Sequence, residues 1–202
     1  RHRHQPQIMD FIFSLGFSEE LALMELSAVL GKTPQKVGEH QYKAHLEGGL
    51  SQMNYLSNRL GGLVEVHDDA GKLVWRHSAK AWYKRDRLKP YSDTHKGLLP
   101  PKVARMLVNL ALGTTDPEGK TLLDPFCGSG TLLLEGGLMK LKLVGNDLDP
   151  ELGTQTLAHL VDADRLGQAL LVDEAAVERA HLPGPERRGG QVHLRVAGSL
   201  PS

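Results

Sequence analysis

The chain has 202 residues, 40% hydrophobic and 24% charged, with 24 basic residues matched by 24 acidic ones. That balance suits one large or two small globular domains and excludes a mostly unfolded acidic or basic tail. No run approaches the roughly 18 consecutive apolar residues of a membrane helix, so no membrane association is expected. A single cysteine, Cys127, has no second thiol in the chain to pair with, and no secretory signal opens the sequence, so a reducing, cytoplasmic setting is expected. The ten histidines show no ligand spacing, and no metal is expected.

Residues 1–8 read as a leader ahead of or including the approach to Met9, a candidate start. Phe11-Ile12-Phe13 predicts a short strand within residues 10–16. Ser18 then offers an N-cap oxygen, with Glu19 and Glu20 at the positive end of a helix. Leu23, Leu26 and Leu30 would line its buried face, and Gly31 would stop it. A polar, strand-compatible stretch runs to Leu46, after which Leu50, Met53, Leu56 and Leu60 predict a second helix ahead of Gly61-Gly62. Residues 63–66 and 73–76, on either side of Asp68-Asp69-Ala70-Gly71, predict a hairpin. Residues 1–70 are thus expected to form a small α+β domain close to a ferredoxin-like arrangement, and 71–95 a hairpin and basic linker.

Charge is segregated along the chain. Residues 76–105 hold nine Lys or Arg against two acids, a net of +7, and residues 147–178 hold eight acids against Arg165, a net of −7. Within the basic stretch Lys80, Lys84, Arg85, Arg87 and Lys89, with Trp82, Tyr83 and Tyr91 interleaved, can track an RNA backbone while stacking bases. A solvated linker with snorkelling side chains weighs equally. Residues 102–112 then predict an amphipathic helix with Val103, Met106, Leu107, Leu110 and Ala111 on its apolar face.

The most informative stretch is Thr121-Leu122-Leu123-Asp124-Pro125-Phe126-Cys127-Gly128-Ser129-Gly130-Thr131, followed by an apolar helix over about 132–139. It reads as a buried strand, a glycine turn and a helix start. Glycines at 128 and 130 permit positive φ and close backbone approach, and the free amides of the helix start favour an electron-rich or anionic group. Residues 141–145 predict a second strand. Asp147 lies just past it, 17 positions after Gly130, where a carboxylate can accept two hydrogen bonds from a ribose diol.

No Gly-Lys-Ser/Thr triplet follows Gly130, so a nucleoside triphosphate is not expected; Leu133 stands where a dinucleotide fingerprint has its third glycine. Asp124, four positions before Gly128, would repel a pyrophosphate but can pair with the ammonium of an amino-acid moiety. S-adenosylmethionine has both the ammonium and the ribose. Cys127 is read as a small residue packed beneath the turn, since no partner His is near it in sequence.

Asp-Pro-Phe-Cys-Gly-Ser-Gly-Thr at 124–131 and Gly-Asn-Asp-Leu-Asp at 145–149 resemble the cofactor-binding half of class I methyltransferases that modify exocyclic amino groups of nucleobases. Lys84-Arg85-Asp86, Gly97-Leu98-Leu99-Pro100-Pro101-Lys102-Val103-Ala104 and Asn109-Leu110-Ala111 are similar to the stretch before that loop in the tRNA guanine 2-amino methyltransferase family. Phe13-Ser14-Leu15-Gly16, Glu20-Leu21-Ala22-Leu23-Met24-Glu25-Leu26 and Arg59-Leu60-Gly61-Gly62 resemble that family's N-terminal ferredoxin-like domain. The resemblance covers roughly residues 9–66 and 82–150.

The resemblance implies an α/β fold: a partial Rossmann-like class I methyltransferase domain over 96–202, preceded by the small α+β domain. It implies S-adenosylmethionine as cofactor, with Asp124, Pro125, Phe126, Cys127, Gly128, Ser129, Gly130, Thr131 and Asp147 around it, residues 96–101 against its methionine end, and RNA, tRNA above all, as partner. Three departures accompany it. The family's THUMP domain does not fit in residues 67–81, and the Asn/Asp-Pro-Pro-aromatic turn that orients the target amine is missing, the sole Pro-Pro being Pro100-Pro101 after Leu99. Residues 191–196 alternate like a third strand, after which Gly198 and Ser199 occupy the turn that contacts adenine in relatives, with Ser199 in place of the usual Asp. A serine can still hydrogen-bond the adenine amino group, more weakly than a carboxylate.

The expected function is methyl transfer from S-adenosylmethionine to an exocyclic amino group, guanine in tRNA foremost, by a chain that is an inactive fragment. A DNA amino-methyltransferase and a non-catalytic RNA-binding or cofactor-binding module are the alternatives.

Overall fold

The computed structural model describes residues 7–87, 99–145, 147 and 194–196, with the side chains of 84–87 and 194–196 outside that description. The chain forms two compact units. The first comprises Arg1–Tyr83 together with Arg105–Thr115; the second comprises Lys84–Ala104 and Asp116–Ser202.

The first unit is built on β1 (Met9–Leu15), α1 (Glu19–Leu30), β2 (Gln35–Gly38), β3 (Gln41–Leu46), α2 (Gly49–Arg59), β4 (Leu63–Asp68) and β5 (Leu73–Arg76), followed by α3 (Ala79–Arg87). Its five strands form one sheet in the order β2-β3-β1-β4-β5, every neighbouring pair antiparallel. Side chains alternate across a strand, so Phe11, Phe13 and Leu15 of the central β1 share one face and are buried. The register sets Phe11 beside Ala44 and Phe13 beside Tyr42 and Val66, so that face continues across three strands. Ala22, Leu26 and Val29 from α1 and Met53 and Leu56 from α2 complete this core. The other face is polar: Asp10 pairs with Lys43 at 3.0 Å and with His45. At the β4–β5 turn, Gly71 takes φ 81° and the Asp68 carboxylate accepts the amides of Ala70 and Lys72.

Several local expectations are corrected here. Ser18 makes no side-chain cap; it adopts a left-handed conformation, and only its carbonyl serves the helix, accepting the amide of Ala22 at 2.9 Å. On α1, Leu23 and Leu30 are half-buried, while Glu25 lies in the buried face beside Ala22, Leu26 and Val29. Leu50 is exposed at the start of α2. Helix α4 (Pro101–Leu112) buries Ala104, Arg105, Met106, Val108 and Asn109, whereas Leu107 is 38% exposed and Ala111 faces solvent. Of the apolar face expected for it, only Met106 is fully buried. Polar partners described below draw Asn109 inward and override the apolar periodicity.

The second unit is α/β. Strand β6 (Thr121–Asp124), helix α5 (Thr131–Leu138) and strand β7 (Lys142–Gly145) form a parallel β-α-β unit in which Asp124 pairs with Gly145. Leu133, Leu134, Met139, Leu141 and Leu143 are buried around it. A Cβ at Gly136 would lie 2.6 Å from a Leu122 methyl, so glycine there lets α5 sit close on the sheet. Strand β8 (Leu194–Val196) pairs with β7 but runs antiparallel to it, which makes the sheet mixed. No helix among the described residues is long and apolar enough to cross a membrane.

Candidate functional site

The parallel register of β6 and β7 brings the two carboxylates singled out in the sequence to one end of the sheet. Asp124 closes β6 opposite Gly145, and Asp147 follows Gly145 by two residues. Between β6 and α5 the chain turns tightly: the amide of Gly130 donates to the carbonyl of Cys127 at 2.8 Å, and the carbonyl of Gly130 accepts the amide of Leu134 at 2.8 Å. Gly128 and Gly130 have φ 52° and 82°, left-handed values that residues with a Cβ adopt only with strain. A Cβ on Gly128 would meet nothing within 4 Å, so the turn presents open backbone there.

Both carboxylates are tied to this turn. Asp124 Oδ1 accepts the amide of Phe126 at 3.1 Å, and Asp147 Oδ2 accepts the amide of Gly128 at 2.8 Å. The amide of Gly128, ahead of the helix start, is thus bonded to a carboxylate of the chain itself. Asp124 is only 9% exposed. Burial pushes its carboxyl above the usual range; the Phe126 amide pulls it down, and the neighbouring negative charge of Asp147 pushes it up again. Two acids this close at a glycine turn favour a ligand that brings positive charge and hydroxyl donors.

The rest of the predicted set distributes around this pair. Cys127 is buried, its Cβ and Sγ each 3.3 Å from where a Gly145 Cβ would stand, so it packs between the turn and the end of β7. Thr131 is buried at the start of α5, Ser129 is half-buried, Pro125 is exposed, and Phe126 is 79% exposed. Gly198 and Ser199 lie outside the described residues, as do residues 96–98 of the stretch expected at the methionine end. Beside this turn, Glu135, fully buried in α5 one turn after Thr131, is not singled out by the sequence reading. A lone carboxylate in the otherwise apolar run Thr-Leu-Leu-Leu-Glu-Gly-Gly-Leu was the available signal.

Of the RNA candidates, Lys80 is exposed and Trp82 half-buried, with the Arg105 guanidinium 5.9 Å from its ring centroid. One face of that indole is thus engaged within the chain. Lys84, Arg85 and Arg87 belong to α3 but their side chains lie outside the description, and Lys89 lies outside the described residues. Among the described residues no group of three or more His, Cys, Asp or Glu side chains is gathered as a metal site would be.

The site is thus a parallel β-α-β unit with a glycine turn and an acid at or just past each strand end, within an α/β unit. Residues 90–178 match the family model described as UPF0020, RMKL-like methyltransferase domain. Three relatives carry closely similar names. The tRNA (guanine(10)-N2)-dimethyltransferase of Methanocaldococcus jannaschii is 41% identical over 93 residues, which is 46% of this chain and 26% of that protein. The probable tRNA (guanine(10)-N2)-dimethyltransferase of Methanothermococcus thermolithotrophicus is 49% identical over 59 residues, 29% of this chain and 35% of that one. The corresponding Methanothermobacter thermautotrophicus protein is 47% identical over 55 residues, 27% of this chain and 16% of that one. The chain thus spans about a third or less of the length of each of these relatives.

Proposed function

We propose that this chain contains the cofactor-binding part of an S-adenosylmethionine-dependent methyltransferase that modifies the 2-amino group of guanine in tRNA, in a cytoplasmic setting. The observation that carries the cofactor reading is the convergence of Asp124 and Asp147 on the open glycine turn. The substrate reading rests on the names of the relatives. The first unit, with its strand order β2-β3-β1-β4 and two helices, is read as a ferredoxin-like domain extended by β5, and the second as part of a Rossmann-like domain.

The residues present fit the proposed cofactor. A buried carboxylate held above its usual range by burial and by a second acid gains most from an ammonium group, which offsets both costs. Asp124 would take the methionine ammonium, Asp147 the ribose hydroxyls, and the open backbone at Gly128 would allow close approach. The cofactor, when bound, supplies an electrophilic methyl on sulfur. The chain's own part is to fix the cofactor's orientation and so reduce the entropy cost of bringing amine and methyl into line. A guanine inside a stem would have to leave its stack to be reached.

Calorimetric titration of S-adenosylmethionine into the 202-residue chain tests the reading. Binding is expected, weakened about tenfold or more by Asp124→Asn and by Asp147→Ala, the scale of one hydrogen bond to a charged group. Uptake that both substitutions leave unchanged would overturn the assignment.

A further inference from the structure

The first unit contains a buried polar cluster that the methyl-transfer reading does not use. Glu25 of α1 is 1% exposed. Its Oε1 accepts the amide of Gly61 at 2.8 Å and Asn109 Nδ2 at 2.6 Å, and its Oε2 accepts the amide of Gly62 at 2.9 Å. Asn109 also donates to the carbonyl of Arg59 at 2.8 Å, while its own Oδ1 accepts Arg59 Nε at 3.1 Å. Arg59 Nη2 completes the set on the carbonyl of Gly113 at 3.1 Å. Three of the sequence stretches that carry the family resemblance, around Glu25, Arg59 and Asn109, meet in this one cluster.

Each member satisfies groups that no other neighbour named here serves. The carboxylate caps two successive backbone amides where the chain leaves α2 for β4, and Asn109 uses both its amide donors and its carbonyl. The backbone there is packed too tightly for replacement: a Cβ on Gly62 would lie 2.4 Å from Ala22 Cβ and 2.9 Å from Ala22 Cα. Burial pushes the Glu25 carboxyl up, while the amides of Gly61 and Gly62, Asn109 and the charge of Arg105 pull it back. A buried network of this kind is costly when partly satisfied and rigid when complete.

The position of Asn109 gives the cluster its meaning. Residues 90–178 match the methyltransferase family model, yet Arg105–Thr115 within that stretch belong to the first compact unit. We propose that Glu25, Arg59 and Asn109 form a latch that makes the second half of α4 an integral part of the N-terminal unit. The occupant of the groove lined by α1 and the Arg59-Leu60-Gly61-Gly62 turn is this chain's own segment 105–115. The N-terminal unit is then completed by a segment of the methyltransferase stretch, and the two are not detachable modules.

The test uses the 202-residue chain carrying a protease site inserted between residues 92 and 93. After cleavage the two pieces are expected to co-elute on gel filtration, and Glu25→Gln or Asn109→Leu to make them separate. Glutamine at 25 would set an NH2 group against a backbone amide, which is why the near-isosteric change is informative. Amide exchange in the uncut chain gives a second reading that does not depend on the insertion. Asn109→Leu, or the milder Asn109→Ser, is expected to speed exchange at Gly61 and Gly62 by about tenfold, although neither amide touches Asn109 directly. Pieces that part in the unsubstituted chain, or exchange at Gly61 and Gly62 unchanged by both Asn109 variants, would overturn the latch.

Discussion

On the proposed reading, Asp124 would serve binding at the expense of stability. Its carboxyl titrates above the ordinary 3.8 in the folded chain because burial and Asp147 disfavour the ionised form. A raised acid contributes stability that is fully present below its unfolded value and is lost as pH rises through its folded value. Above that folded value the ionised group therefore opposes folding of the ligand-free chain. Asp124→Asn keeps an oxygen for the Phe126 amide and removes the charge, so it is expected to raise the ligand-free melting temperature while weakening cofactor uptake; thermal unfolding with and without S-adenosylmethionine checks both signs. On the proposed reading the same titration would weaken uptake as pH falls toward the raised value, because the proton would compete with the ammonium. A melting temperature lowered by Asp124→Asn would show that the buried charge is compensated within the fold. Asp124 and Asp147 were legible in the sequence because strand, glycine turn and second strand fix their spacing. Glu25 was not, because leucine periodicity assigned the buried face to Leu23 and Leu30 and gave no reason for a carboxylate to turn inward.

At the scale of elements, the glycines separate two kinds of constraint. Gly128 needs its left-handed φ but has open space, so Gly128→Ala is expected to cost about 1 kcal/mol of backbone strain. Gly62→Ala meets backbone of α1 rather than a flexible tip, and is expected to destabilise the first unit by about 1–3 kcal/mol. Urea unfolding of the two variants orders them; the reverse order would mean that α1 can retreat from the β4 entry without loss. The N-terminus of α1 is held differently. Glu19 accepts the Tyr42 hydroxyl at 2.5 Å and pairs with His40 at 2.6 Å, and the Tyr42 bond chiefly holds its carboxyl below the usual range. Stability from that group is present above pH ~4.5 and lost as pH falls through the lowered value, so acid is expected to free the first turn of α1 before the sheet, and Tyr42→Phe to bring that loosening to higher pH. Amide exchange of residues 19–23 from pH 6 down to 3 reads it. Strands and helices with strict apolar patterns were readable in advance. Helix α4 was not, since its inward residues include Arg105 and Asn109, whose partners at Trp82, Glu25 and Arg59 lie far away in sequence.

For the molecule as a whole, the proposed function divides into two separable requirements, holding the cofactor and transferring its methyl group. On the proposed reading, orientation of the cofactor would need the turn and its two acids, Asp124 at the end of β6 and Asp147 two residues past β7. Transfer also needs an acceptor that aligns the amine lone pair with the methyl, and here the residues between 1 and 202 are sparing: their one Pro-Pro follows Leu99, whose side chain has no oxygen to offer. The relatives named above are roughly three times the length that the matched segment covers in them, or more, so further groups are available to those proteins. The chain of 202 residues is accordingly expected to bind S-adenosylmethionine in solution yet to transfer no labelled methyl to a tRNA pool. Incubation with methyl-labelled cofactor and undermodified tRNA, alongside calorimetry on the same sample, distinguishes the outcomes. Uptake without incorporation fits a cofactor site that needs an acceptor from elsewhere. Incorporation that depends on Asp124 would place the aligning group within these residues, and the amide or carbonyl oxygens of residues 147–202 would be the first place to look for it.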